Sequence, residues 1–283
     1  GIPVRAENVT PPGSVTRVRV ASREFEAGFH TLEVFHPITE GVSFGADTVR
    51  AGFFMSDLDD RSFLEKFLTS NLEYDTYSIQ IHVETDTTSK HRVMTNGAVS
   101  KVGRSSWDAV YPDYFSGSSL YFHLVPEAGM QFNDSTYTSI DGRILPVEIY
   151  ASLTNTWWPE FVKGTPKYLA ELEKDYGAFP HSKVVVYGVG IMYGGMEYCG
   201  ATITSSSALG HELTHSYFAR GVMPANGASG WMDEAIASWR DSGYKQLQGL
   251  THGATNMATY SPYKRDTDSK AYREGRDLLA HLD

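Results

Sequence analysis

Cysteine, basic charge and long apolar runs are all scarce in this sequence. Cys199 is its only cysteine, which excludes an intrachain disulfide and a cysteine-based metal cluster. The sequence suggests no nearby base for this thiol, so we expect Cys199 to be a small buried side chain rather than a nucleophile. The formal net charge of −10 argues against nucleic acid as a partner.

The sequence has no apolar segment long enough to form a membrane-spanning helix. No stretch approaches the roughly 18 apolar residues of a membrane-spanning helix, so we expect a soluble protein without such a span. No signal peptide is visible, but the chain begins with Gly1 rather than Met. We therefore expect a processed, tagged or excised product, and the sequence predicts no compartment.

The 283 residues suffice for one large or two medium cores. Apolar and polar residues alternate at residues 17–20, 78–84 and 120–124, which predicts half-buried antiparallel strands. A short helix is expected among these strands at residues 60–68.

The pattern changes near Gly142. Residues 144–150 read as a last strand, whereas apolar residues at helical spacing occupy residues 157–175. We therefore predict an α+β fold in two domains. An antiparallel β domain covers residues 1–145, and a mixed α/β domain covers residues 146–283.

A His-Glu-Leu-Thr-His motif at residues 211–215 predicts a metal-binding site. On a helix its two histidines lie four residues apart on one face, so both imidazoles can reach one metal ion with Glu212 beside them. Serines before the motif and an apolar stripe predict a helix of ~12 residues. Gly221 and Pro224 are expected to end it.

A second helix is predicted from Trp231 to Tyr244, after a loop with several glycines. Its Glu234 follows the motif after eighteen residues and lies near the helix start, where it can face the two histidines. His211, His215 and Glu234 then form a ligand set known from peptidases, which leaves a fourth position open. Two imidazoles and one carboxylate favour a single Zn2+ ion.

Four motifs occur in an order that resembles the gluzincin aminopeptidases of the aminopeptidase N-like family. They are Gly194-Gly195-Met196-Glu197, the motif at residues 211–215, Glu234 and Tyr272. The resemblance is most specific over residues 177–238. It implies a saddle-like β domain packed on a thermolysin-like zinc catalytic domain. In that family a helical domain follows, which this chain, ending at Asp283, is expected to lack.

The resemblance also implies a role for each matched catalytic residue. His211, His215 and Glu234 correspond to the zinc ligands. Glu212 corresponds to the general base that activates a water molecule at the metal and then protonates the leaving amine. Tyr272 corresponds to the tyrosine that hydrogen-bonds the oxyanion of the tetrahedral intermediate.

The implied substrate-binding residues precede the metal motif. Glu197 corresponds to the carboxylate that binds the free α-amino group of a peptide substrate. Gly194, Gly195 and Met196 offer backbone along which an extended peptide can pair. Asp233, next to a ligand, is expected to orient a ligand histidine.

Some residues lie outside the family pattern. Tyr198 stands where many members have Asn, which we expect to alter hydrogen bonding beside the substrate. Ser-Tyr-Phe-Ala-Arg at residues 216–220 replaces the more usual Gln-Trp-Phe-Gly-Asn. For the second amine-binding residue, which the family takes from its β domain, Glu65 is a candidate. His123 and His181 have no partner spacing, so we expect them at the surface.

The leading hypothesis is a zinc metallopeptidase that removes N-terminal residues from peptides. The same site is compatible with endopeptidase action or, as in one branch of the family, with hydrolysis of a lipid epoxide. A third possibility is a non-catalytic peptidase fold used as a binding scaffold. Such scaffolds normally lose a ligand or the base, and here all four residues are present.

Overall fold

The structure is a computed structural model that describes residues 2–10, 12, 18–31, 41–53, 76, 78–116, 119–222, 230–253, 255–257 and 268–283. Within these ranges the strands are β1 (Ala6–Val9), β2 (Val18–Ala21), β3 (Val42–Phe44), β4 (Val49–Phe53), β5 (Gln80–Glu84), β6 (His91–Thr95), β7 (Ala98–Lys101), β8 (Ser106–Val110), β9 (Phe122–Pro126), β10 (Met130–Thr138), β11 (Ile144–Ser152), β12 (Val184–Gly188), β13 (Gly195–Tyr198) and β14 (Ala201–Thr204). The helices are α1 (Trp158–Tyr176), α2 (Leu209–Thr214), α3 (Trp231–Asp241) and α4 (Arg276–Leu282), with a π-helical turn at Ala271–Gly275 before α4. The predicted helix at residues 60–68 and the candidate Glu65 lie outside the described residues.

Antiparallel sheets build the N-terminal half. The described strands form a two-stranded sheet β1-β2, a four-stranded sheet in the order β3-β4-β9-β6 and a three-stranded sheet in the order β5-β8-β7. The predicted strands at residues 17–20 and 78–84 overlap β2 and β5. Cys199, which we expected to be buried, packs in the core of these sheets.

The predicted half-buried strand at residues 120–124 is buried on both faces. β9 lies between β4 and β6, and its residues enter two cores: Phe122 and Leu124 pack in one, and Val125 packs in the other. His123, expected at the surface, is also buried, and its Nδ1 lies 2.7 Å from the Tyr150 hydroxyl. Both expectations were wrong because a second packed layer covers the face that alternation assigns to solvent.

The second half of the chain contains a five-stranded mixed sheet in the order β10-β11-β12-β14-β13. β11, β12 and β14 are parallel, whereas β10 and β13 run antiparallel at the two edges. The combination of helices with antiparallel sheets confirms the α+β class. β11 runs through the predicted boundary between residues 145 and 146, and the division into two domains remains a prediction.

The helix predicted at residues 157–175 is confirmed as α1. Pro159 lies in its first turn, where the missing N–H costs nothing, and the buried face includes Leu169. A Cβ at Gly164 would lie 3.1 Å from a methyl carbon of Leu209, so the glycine lets α2 pack closely on α1. Among the described residues, no helix combines the length and apolar character that a bilayer span requires.

Candidate active site

α2 ends at Thr214 and is shorter than the predicted helix of ~12 residues. Beyond it the chain tightens into turns. The Tyr217 N–H donates to the Thr214 carbonyl oxygen at 3.0 Å, and Ala219 adopts a left-handed φ of 91°. The predicted length was wrong because these turns, which the sequence pattern does not reveal, replace the last part of the expected helix. The rings of His211 and His215, the latter at the C-cap, still lie 4.9 Å apart.

α3 brings the third predicted ligand to the same place. It begins at Trp231, as predicted, and ends at Asp241 rather than at Tyr244. Gly243 and Tyr244 adopt left-handed φ values of 73° and 53°, which interrupt the helix. Glu234 lies in its first turn and is buried.

The ligand atoms of His211, His215 and Glu234 all lie within 4.8 Å of one another. Oε2 of Glu234 is 3.0 Å from Nε2 of His211 and 3.4 Å from Nε2 of His215. Ligand atoms about 2.0–2.1 Å from a tetrahedral zinc ion lie roughly 3.3 Å apart, so these spacings fit one zinc ion. The donor set fits zinc chemically as well. These three residues therefore form a candidate zinc site.

Asp241, which the sequence did not identify as a site residue, contacts the candidate ligand His211. Oδ2 of Asp241 lies 2.7 Å from Nδ1 of His211, the ring nitrogen that faces away from Glu234. Asp233, which was expected to orient a histidine, lies 3.9 Å from Nδ1 of His215, longer than a hydrogen bond. Asp241 follows Glu234 by seven residues, two helical turns, and this spacing on α3 is the signal that could have identified it.

The charges in the site are strongly coupled. Burial alone lowers the pKa of His211, but hydrogen bonds to Asp241 and Glu234 outweigh it and raise the pKa to about 9. Burial also lowers the pKa of His215, and the carboxylates of Glu234 and Glu197 raise it to about 9. Burial disfavours the charged form of Glu234, yet His215 and His211 hold its pKa well below the usual range. Imidazole ligands must be neutral, so a metal ion binding to these histidines would displace protons.

Glu212 is buried between α2 and the edge strand β13. Burial raises the pKa of its carboxyl to about 8. A Cβ on Gly195 would collide with the Glu212 carboxylate, so the backbone of β13 lies directly against this group. A larger residue at position 195 would therefore displace the Glu212 side chain, so close approach rather than backbone conformation favours glycine here.

A cleft of about 440 Å³ contains these groups. Its lining consists of Gly194, Gly195, Met196, Glu197, Ser207, Ala208, His211, Glu212, Glu234, Asp241 and Tyr272. β13 forms one wall: it is the edge strand of the five-stranded sheet, and among the described strands it pairs with β14 alone. The predicted substrate-binding segment at residues 194–197 thus lies in the same cleft as two of the predicted metal ligands and the predicted base.

Tyr272 reaches this site from the last described segment of the chain. The π-helical turn places its ring over that of His211, with the centroids 6.2 Å apart and the planes inclined by 14°. Its hydroxyl donates to Oε1 of Glu234 at 2.8 Å. Because the residue is 44% exposed and lines the cleft, it lies at the mouth of the cleft beside the candidate ligand Glu234.

Glu197 faces the cleft from β13 and is buried. Ligand atoms of Glu197, Glu212 and His215 all lie within 4.8 Å of one another. Oε1 of Glu197 also accepts a hydrogen bond from Nη2 of Arg220 at 3.2 Å. No sequence motif connects Arg220 with the site, and the only signal for Arg220 is that residues 216–220 depart from the family pattern.

Tyr198 does not lie beside the cleft as expected. Successive residues of β13 point to opposite faces, so Glu197 faces the cleft while Tyr198 is fully buried, its ring 5.1 Å from that of Tyr121. His181 is likewise buried rather than at the surface, and its Nε2 lies 3.0 Å from the carbonyl oxygen of Ser216. Both expectations were wrong because neighbours distant in sequence cover these side chains.

No protein-family model matches the sequence, and no curated protein matches it significantly. Solved structures do match. The chain is similar to an M1 zinc metallopeptidase from Deinococcus radiodurans, with 17% identity and a TM-score of 0.53 over 74% of this chain and 50% of that chain. It is similar to a two-domain M1 zinc metallopeptidase variant bound to L-arginine, with 16% identity and a TM-score of 0.55 over 84% of this chain and 57% of that one. A similar variant bound to L-tryptophan matches with 17% identity and a TM-score of 0.55 over 86% of this chain and 60% of that one. The chain thus spans between 50% and 60% of these structures and shares the fold of M1 zinc metallopeptidases over that part.

Proposed function

We propose that this protein is a zinc-dependent aminopeptidase that removes N-terminal residues from peptides. One observation carries the proposal: the candidate zinc ligands His211, His215 and Glu234 converge beside Glu212 and, on the edge strand β13, Glu197. The fold shared with M1 zinc metallopeptidases supports it.

His211, His215 and Glu234 would hold the zinc ion. The chemistry that zinc supplies in such a site is Lewis acidity, which polarises a carbonyl group and lowers the pKa of water. Glu212 acts as the general base: its carboxylate accepts a proton from the attacking water and returns it to the leaving amine. The Glu212 side chain is buried against the backbone of Gly195, which restricts the orientations that its carboxylate can adopt.

Tyr272 supplies a hydrogen-bond donor for the negative charge that develops on the substrate carbonyl oxygen. Its hydroxyl donates to Oε1 of Glu234, so the donor lies beside a proposed metal ligand. When the hydroxyl turns toward the substrate, its hydrogen bond to the Glu234 carboxylate is replaced by one to the oxyanion, so it keeps a charged acceptor. A donor placed in advance in this way favours the transition state over the ground state.

Glu197 selects the end of the peptide. A buried carboxylate favours a substrate with a free α-ammonium group, because the two charges hydrogen-bond directly in a poorly solvated site. The backbone at residues 194–196 lies at the open edge of β13, where an extended peptide can add as a further strand. Together these features favour removal of terminal residues over internal cleavage.

Metal analysis and a pair of substrates test the proposal. We expect about one zinc ion per chain, and hydrolysis of an aminoacyl amide that a chelator abolishes and zinc restores. The N-acetylated amide should react at least about 100-fold more slowly, because it cannot present an ammonium group to Glu197. Glu212→Gln should retain zinc while kcat falls by about 10²–10⁴. The exposed Glu127→Gln is the matched control and should behave as wild type.

The other outcomes point to other functions. Equal rates on the free and acetylated amides would indicate an endopeptidase, and hydrolysis of a lipid epoxide without peptide cleavage would indicate an epoxide hydrolase. Zinc binding without hydrolysis of either kind would indicate a binding scaffold. Failure to bind zinc would contradict all of the enzyme hypotheses.

A further inference from the structure

Arg220 and Glu197 form a buried ion pair beneath the wall of the cleft. Nη2 of Arg220 lies 3.2 Å from Oε1 of Glu197, and the two side chains are 1% and 6% exposed. Glu197 lines the cleft, whereas the guanidinium is covered by protein. Arg220 is therefore placed to act on a substrate through Glu197 rather than by touching the substrate.

Glu197 needs a nearby positive charge because a second carboxylate lies beside it. Ligand atoms of Glu197, Glu212 and His215 lie within 4.8 Å of one another, and all three residues are buried. When both are ionised, as the proposed role of Glu212 as a base requires, two carboxylates this close in a poorly solvated site repel each other strongly. The guanidinium of Arg220 carries a permanent positive charge and offsets this repulsion.

The backbone around Arg220 directs it toward Glu197. Ala219 adopts a φ of 91°, and the Arg220 N–H then donates to the carbonyl oxygen of His215 at 3.0 Å. Sγ of Cys199 donates to the carbonyl oxygen of Arg220 at 3.5 Å. Arg220 thus connects the turns after α2 with β13. Its side chain contacts Glu197 on β13, and its carbonyl oxygen contacts Cys199, the residue after that strand.

We propose that Arg220 is a positioning residue for recognition of the substrate's free amino group, an inference that rests on the proposed aminopeptidase function. The guanidinium holds the carboxylate of Glu197 in the orientation that receives an α-ammonium group, and it offsets the charge of the neighbouring Glu212. Its loss should therefore weaken the binding of peptides with a free amino terminus and spare substrates that do not use Glu197.

Steady-state kinetics on the zinc-loaded full chain test this role with Arg220→Met, which removes the charge and keeps the length. We expect KM for an aminoacyl amide to rise about tenfold, kcat to change less, and hydrolysis of the N-acetylated amide to stay as it is. In a Glu197→Gln background, Arg220→Met should add no further change in KM, because the partner is already gone. Arg220→Lys should restore part of the lost affinity.

Lys183→Met is the matched control. It removes another cation that is mostly buried, paired with Glu148 at 2.9 Å, and Lys183 does not line the cleft. We expect it to lower stability without changing the ratio of rates on free and acetylated amides. Should Arg220→Met fail to fold, Arg220→Lys gives the same comparison with the charge retained, and its KM should then lie between those of wild type and Glu197→Gln.

Two results would overturn the proposal for Arg220 alone: equal losses on the free and acetylated amides, or effects of Arg220→Met and Glu197→Gln that simply add. In either case the wild-type preference for a free amine would still support the aminopeptidase function. A wild-type protein without that preference would overturn both proposals together.

Discussion

At the scale of single residues, the site depends on a glycine, Gly195, as well as on its charged side chains. Gly195 lies on β13 where any Cβ would meet the Glu212 carboxylate, although its backbone conformation is available to every residue. The family resemblance marked this glycine as substrate-binding. The structure adds a second reason for it, since the carboxylate of Glu212, the proposed general base, occupies the space that a side chain would need.

Gly195→Ala tests this contact. We expect zinc to remain bound while kcat falls by about 10²–10⁴, because the added methyl group pushes Glu212 away from the attacking water. Gly190→Ala is the control, since nothing lies within 4 Å of a Cβ built at that position. Zinc content and kcat are the quantities to measure. A wild-type kcat for Gly195→Ala would contradict the assignment of Glu212, whereas loss of zinc would place the damage at the ligands.

At the scale of secondary-structure elements, α3 carries two carboxylates of the candidate zinc site on one face. Glu234 contacts the Nε2 atoms of both histidines, and Asp241, two turns later, contacts Nδ1 of His211. A partner on the second ring nitrogen fixes the tautomer and the ring orientation of a ligand histidine. α3 therefore supplies both a candidate ligand, Glu234, and the carboxylate of Asp241 that contacts another candidate ligand, His211.

Asp241→Asn should weaken zinc binding. We expect the dissociation constant for zinc to rise about 10–100-fold, because a neutral amide is a weaker acceptor for the His211 ring N–H. Competition with a chromogenic chelator measures this constant. Asp134→Asn serves as control, since that carboxylate is largely exposed and pairs with Arg92 at 2.9 Å. Equal zinc affinities in the two variants would show that Asp241 does not support the ligand.

At the scale of the whole molecule, His181 connects the N-terminal half with the segment behind the metal site. Its Nδ1 lies 3.2 Å from the hydroxyl of Tyr114, and its Nε2 lies 3.0 Å from the carbonyl oxygen of Ser216. Burial lowers the pKa of this imidazole to about 4, so the ring is neutral near pH 7. The same ring in an unfolded chain has a pKa of about 6.5.

This difference predicts a loss of stability in acid. Between the two pKa values the unfolded chain binds the extra proton, so the free energy of unfolding is fully retained above about pH 6.5 and falls as the pH drops toward about 4. The contribution of His181 corresponds to roughly 3 kcal/mol over that range. His181→Gln should therefore lose less stability than wild type between pH 7 and pH 4 in urea unfolding. Parallel pH profiles of the two proteins would contradict the buried neutral state.

Elements with a strong apolar periodicity were predictable from the sequence, whereas features that depend on packing were not. The helical spacing of apolar residues over 157–175 predicted α1 to within a residue at each end. The length of α2 was not predictable, because a helix this short gains its stability from packing on α1 rather than from its own sequence. Burial of both faces of β9 was not predictable either, since alternation cannot reveal a second covering layer.

The sequence by itself determined which residues are the candidate zinc ligands and the candidate base. Two histidines four residues apart share one face of a helix, and Glu234 follows the motif after eighteen residues, so the spacing alone identifies them. Only the tertiary structure decided that Asp241 supports His211 and that Arg220 lies behind Glu197. The physical reason is that these contacts join side chains from different elements. Their distances depend on how the helices and β13 pack, which no local pattern specifies.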